Sequence, residues 1–213
     1  MLSSFRTTGR KIVAMILTNS IGRNFADHAK ELNNAVPTEP FFFLKPTSSY
    51  IGPGQAIEVP QGVVAHHEAV VIGKNGRDIS VKDSDAHIGG YALAIDMTAR
   101  NMQEKAKKSG LPWSAAKGFD TFTPISGLIA KDQIPDPHNV DLWLHVNGST
   151  RQHGNTKDMI FSIPELIAYV SSIMTLETGD VLLTGLRNAS SPTTLAELRL
   201  LVKNRVGNFS FRA

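Results

Sequence analysis

Apolar positions along the 213-residue chain fall mostly in short runs bounded by Gly and Pro, rich in β-branched and aromatic residues. Such runs predict strands: 41–44 ahead of Lys45-Pro46, 56–59 ahead of Pro60, 63–64, 70–72 ahead of Gly73, and 91–95. Further strands are predicted at 127–130, 141–146, 149–152, 181–184 and 208–211. Asn147-Gly148 between two of them is a type I′ hairpin signal, because both residues tolerate positive φ. Three segments carry helical spacing instead. Asn24 can cap a helix over 25–32, and 98–109 reads as a helix that stops at Gly110 with Pro112 beyond. Ser162 and Glu165 form a capping box for a helix running to about Thr175. In that helix Leu166, Ile167, Val170, Ile173 and Met174 make one core-facing stripe, which is packing and not a cofactor box. The expected fold class is α+β, mainly β with a few peripheral helices.

Composition narrows this picture. With 41% hydrophobic and 19% charged residues the chain suits one core, and no window approaches the roughly 18 apolar residues of a membrane span. The absence of cysteine excludes disulfides, zinc ribbons, iron–sulfur clusters and thiolate nucleophiles, so any metal is expected to be hard and oxygen-ligated. A net charge of +3 is too small to argue for nucleic acid or membrane as a partner. The densest basic run, Lys105, Lys107 and Lys108, reads as a solvated helix end. The excess suits steering of a small anionic substrate. Residues 1–10 carry Phe5, Arg6, Arg10, Ser and Thr, and no acid precedes Asp27, which reads as a short mitochondrial presequence. A mitochondrial or cytoplasmic location is expected, with 11–213 as one catalytic domain.

Four places could carry chemistry. His28 and Glu31 stand three apart on a short helix, either as a dyad able to deprotonate water or as a surface pair. His66-His67-Glu68 sits where one apolar strand is expected to end and the next to begin. Asp96 follows the apolar run 91–95, where its carboxylate either holds a divalent cation or caps the following helix. Lys117 lies in a stretch of small and apolar residues, so a buried ammonium there must pair with an anion or lose its proton.

The order and wording of these pieces resemble the fumarylacetoacetate hydrolase (FAH) family. The resemblance rests on 22–28 (GRNFADH), 42–46 (FFLKP), His66-His67-Glu68, 90–100 (GYALAIDMTAR), 110–113 (GLPW), 117–121 (KGFDT) and 182–185 (LLTG). The branch it resembles most acts as acylpyruvase, oxaloacetate decarboxylase and oxaloacetate tautomerase. This implies a β-sandwich or β-roll with a short lid helix, a homodimer, and Mg²⁺ or Mn²⁺ chelating a small anionic 2-oxo acid. It further implies metal ligation by Glu68 and Asp96, proton transfer by His28 and Glu31, enolate or carboxylate stabilisation by Lys117, and substrate binding by Arg23 and Gln103. The physical logic is coherent, since breaking a C–C bond beside a carbonyl leaves an enolate that cations stabilise.

Three departures stand against the family wording. Residues 15–20 are inserted after Ala14, so that a central strand is expected to loop out. The family motif His-His-Glu-x-Glu is cut short, because Glu68 runs directly into Ala69 and the second glutamate is absent. After Thr184-Gly185 a substrate-contacting loop is truncated. Such abrupt changes are the pattern of misplaced exon boundaries or a decaying duplicate gene. The alternative reading is therefore a catalytically impaired paralogue, at most a dimeric binding protein.

Overall fold

The computed structural model of the chain describes residues 12–16, 39–57, 63–146, 149–185, 197–202 and 209–212. The predicted helix at 25–32, the Asn147-Gly148 turn and half of the strand at 56–59 lie outside these residues, as do His28, Glu31 and Arg23.

A five-stranded sheet carries the molecule, in the order β2 (Phe41–Lys45), β1 (Ile12–Ile16), β9 (Val181–Leu183), β4 (Val63–Ile72) and β5 (Ile88–Thr98). A four-stranded antiparallel sheet, β11 (Phe209–Arg212), β10 (Glu197–Val202), β7 (Asp141–Val146) and β8 (Ser149–Asn155), and a short parallel pair, β3 (Tyr50–Ile51) with β6 (Thr123–Pro124), complete the strands described. Helices α1 (Arg100–Lys108), α2 (Ser114–Lys117) and α3 (Ile163–Ile173) lie around them. The mixed α+β architecture is the expected one.

Period-2 alternation divides the β4–β5 ladder into two faces. On one, Val70, Ile72, Tyr91, Leu93, Ile95 and Met97 belong to a core that includes Leu142 and Leu144 of β7 and Ile163, Leu166, Ile167 and Val170 of α3. On the other, Ala69, Val71, Ala92 and Ala94 lie in a shallower cluster with Val181, Leu183, Tyr50, Ile125 and Phe43. The apolar stripe read in the sequence thus buries α3 against the sheet. Its capping box is formed, with Glu165 Oε2 accepting from the Ser162 backbone N–H at 2.7 Å.

Several expected elements are altered. Met15 and Ile16, expected to loop out, instead continue β1 and stand opposite Phe42 and Phe41, while 17–20 lie outside the described residues. His66-His67-Glu68, expected at a break, lies inside the unbroken ten-residue β4, because its backbone pairs with β5 throughout. Residues 127–130 are held by a single bridge, Ile129 to Tyr91. Thr98 ends β5, and α1 begins two residues later.

Candidate active site

β5 is apolar along its length until Asp96, which is 1% exposed and two residues from the strand's end. It does not cap α1, whose N-cap is Ala99 and has no side-chain cap bond. Instead the carboxylate is closed by two ammonium groups. Lys45 Nζ donates to Oδ1 at 2.8 Å, and Lys117 Nζ donates to Oδ2. Lys45 also donates to the Phe122 carbonyl at 2.9 Å and the Met97 carbonyl at 3.3 Å, which uses its three donors.

The local sequence explains each position. Lys45 follows 41–44 on β2 at a position sharing the face of Phe43, so period 2 carries it to the shallow face where Asp96 lies. Lys117 ends the four-residue helix α2, which is tied to the residue before α1 by the bond from the Ala99 N–H to the Ala116 carbonyl at 2.9 Å. Its ammonium lies 4.6 Å from the centre of the Phe43 ring, a cation–π position. Lys45 and Asp96 stand on opposite edges of the five-stranded sheet. Flat strands spaced about 4.8 Å apart would separate these edges by roughly 19 Å, so the sheet must curl until its edges meet. The cluster closes this roll.

Burial pushes the pKa of Lys117 down to about 8; Asp96 opposes that shift, while Lys45 and Arg100 add to it. Lys45 is lowered by burial as well, with Asp96 opposing. Arg100, at the start of α1, donates from Nη1 to Gln103 Oε1 at 3.0 Å and is lowered by burial, with Asp96 and Glu104 offsetting part of it. Gln103 is buried on the same helix, with its amide oxygen accepting from Arg100.

Of the residues singled out by sequence, the structure brings Asp96 and Lys117 together and places Gln103 one helix turn beyond Arg100. In the β4–β5 backbone register Asp96 stands opposite Ala65 and Glu68 opposite Leu93, and the Glu68 side chain lies outside what the structure describes. Lys45 and Arg100 were missed as site residues. The signal for Lys45 was a lone cation closing an apolar strand at a core-facing parity. For Arg100 it was a cation four residues after Asp96 at the helix start.

The fit of a divalent metal can be tested here. Such a cation needs several oxygen ligands, and Mg²⁺ demands near-octahedral geometry. Asp96 offers one carboxylate already closed by two ammonium groups, alanine stands opposite it, and no group of three His, Asp or Glu gathers among the described residues. Asp96 is the candidate ligand whose side chain is described; that of the other, Glu68, lies outside the described side chains.

Fold and site together are those of an α+β domain with a buried lysine–carboxylate–lysine cluster at the seam of a rolled sheet. Residues 18–201 match the family description "Fumarylacetoacetate (FAA) hydrolase C-terminal", and the chain belongs to the fumarylacetoacetate hydrolase family. It is 54% identical over 196 residues to a Dictyostelium discoideum protein named mitochondrial oxaloacetate decarboxylase, covering 90% of this chain and 87% of that one. It is also 54% identical over 193 residues to an Arabidopsis thaliana protein named mitochondrial oxaloacetate tautomerase FAHD1, covering 89% and 84%. A solved structure of fumarylpyruvate hydrolase from Pseudomonas aeruginosa, in complex with Mn²⁺ and pyruvate, superposes with a TM-score of 0.84 at 29% identity. It covers 95% of this chain and 88% of that one.

Proposed function

We propose that the chain is an enzyme of small anionic 2-oxo acids, with keto–enol tautomerisation of oxaloacetate as its principal reaction. Decarboxylation of oxaloacetate and hydrolysis of acylpyruvates are related reactions through the same enolate. The observation that carries this reading is the buried Lys45–Asp96–Lys117 cluster, since a negative charge developing on a 2-oxo oxygen needs a fixed cation in a water-poor site. The decarboxylase and tautomerase names of the relatives support the substrate class, and their mitochondrial names support that compartment over a cytoplasmic one.

Enolisation moves a proton from C3 to the 2-oxo oxygen and needs no co-reactant. Lys117 holds charge on the enolate or carboxylate, and its lowered pKa suits proton exchange near neutrality. Asp96 fixes both lysine heads. Gln103 and Arg23 bind the substrate carboxylate, and His28 with Glu31 moves the C3 proton. Mg²⁺ or Mn²⁺ is the cofactor implied by the family resemblance and by the Mn²⁺-bearing relative; with Asp96 closed by ammonium groups, no step here is routed through it. The protein is read as a homodimer, to be checked by light scattering.

The test follows loss of oxaloacetate enol absorbance. Lys117→Met should slow tautomerisation about 10² to 10⁴-fold with the melting temperature retained. An unchanged rate would remove Lys117 from the reaction. The β4 register favours a second reading, a family member that binds 2-oxo acids without turnover. Saturable binding with no enol conversion would decide for it.

A further inference from the structure

Both lysine heads of the cluster are tied to one short stretch of chain, 117–123, which opens with Lys117 on Asp96. Gly118 follows, where a Cβ would lie 2.8 Å from the Ser114 carbonyl oxygen and 3.4 Å from Pro46 Cδ, so the chain leaves α2 against the neighbour of Lys45. The chain then reverses. The Phe122 N–H donates to the Phe119 carbonyl at 3.2 Å, which closes a four-residue turn with Thr121 at its third position. The Phe119 and Phe122 rings, with centres 5.0 Å apart, pack together across it. Thr121 has a φ of +66°, in the left-handed region. A turn that needs this sign at its third position favours Gly or Asn, and a β-branched residue there is strained. Among the described residues the other non-glycine with positive φ is Asp78, of a type that tolerates it and with an exposed side chain.

Strain of this kind persists only where the surroundings over-determine it. Here they do so through the carbonyl that follows the turn. The Phe122 carbonyl accepts from the Lys45 ammonium at 2.9 Å and from the Met97 N–H at 3.1 Å, which fills both of its lone pairs. Thr123 then fixes the far side of the seam. The Ser49 hydroxyl gives its one proton to the Pro46 carbonyl at 2.7 Å, so its 2.7 Å contact with Thr123 is donated by the Thr123 hydroxyl. The stretch therefore holds Lys45 and Pro46 at one end while Lys117 holds an oxygen of Asp96 at the other. A residue confined to negative φ at position 121 cannot complete this turn and would swing the Phe122 carbonyl away from Lys45. We infer that Thr121 is a positioning residue, whose left-handed backbone aims the Phe122 carbonyl at Lys45 and so sets where the two ammonium heads stand toward a 2-oxo acid. The kinetic part of this inference rests on the proposed function; the placement of the lysines does not depend on turnover.

The experiment records nitrogen–proton correlation spectra of the lysine ammonium groups of the full chain in mildly acid buffer, beside oxaloacetate enol conversion and the melting temperature. Buried, hydrogen-bonded ammonium protons exchange slowly with water, and Lys45→Met and Lys117→Met assign the two signals. Thr121→Gly and Thr121→Asn, which accept positive φ, are expected to keep both signals and the turnover. Thr121→Pro, whose ring fixes φ at about −65°, should lose the Lys45 signal. Its kcat should fall about 10²-fold with KM changed much less, the scale on which misplacement of a catalytic group acts. A folded Thr121→Pro with a lowered melting temperature but both signals kept would overturn the inference, because the turn would then serve stability alone. Loss of the Lys45 signal in Thr121→Gly would overturn it as well, and that outcome is readable even where the proline variant does not fold. If the unmodified protein shows both signals but no enol conversion, the proposed function fails while the spectra still decide the role of Thr121.

Discussion

The two faces of the β4–β5 ladder are built by the same strands one residue apart. On the deep face β5 places Tyr91, Leu93, Ile95 and Met97, large side chains that fill the space under α3 and β7. On the shallow face it places Ala92, Ala94, Asp96 and Thr98, small residues that give way to polar ones toward the strand's end. Small side chains there let the β3–β6 pair and Phe43 approach closely, and the room left at the end admits two lysine heads. Stability and chemistry are thus separated by side-chain parity alone, and any change of register trades one for the other.

That separation can be broken most severely at Asp96. Asp96→Ala leaves two buried ammonium groups without their carboxylate and should cost about 3–5 kcal/mol, read by urea unfolding, with loss of the 2-oxo acid site. On the deep face, Ile95→Ala should cost about 2–5 kcal/mol by cavity formation. Turnover per folded molecule should remain unchanged below the melting temperature; a parallel fall in turnover would show that the faces are coupled. Ala94→Leu tests the shallow face, where Ala94 bridges Ile125 and is fully buried. Overpacking there should cost about 1–3 kcal/mol and lower substrate affinity by disturbing the cluster next to it. Lys107→Ala, at the half-solvated end of α1 with Glu104 3.8 Å away, should change stability by no more than about 0.5 kcal/mol and leave turnover alone. A large effect from that control would show that α1 is held mainly by its charges.

Much of this was legible where local chemistry and tertiary context agree. The Ser162–Glu165 box and the stripe behind it fixed α3 to within a residue or two, and the strands on both sides of Asn147-Gly148 pair antiparallel as β7 and β8. Asp96 and Lys117 could be singled out because charges in small and apolar surroundings need partners. Lys45, the second lysine on Asp96, could not, because Asp96 lies 51 residues away and meets it only through the curl of the sheet. The continuity of β4 escaped for a related reason, since three polar residues break an apolar run in sequence but do not break backbone pairing. β10 and the four-residue α2 had no periodicity long enough to read.

The position of β9 bears on how the chain acquires this structure. Three residues, Val181–Leu183, run parallel to Ile12–Ala14 on one side and antiparallel to Ala69–Val71 on the other, so the late-made strand joins two early ones. Until it is synthesised, β1 and β4 have no partner for those edges, and the roll that unites Lys45 with Asp96 cannot close. At ordinary translation rates, the stretch from β4 to β9 leaves two apolar edges open for on the order of ten seconds. That interval is long against collapse and reaches the fast end of proline isomerisation, so these edges stay open until residue 183 is made.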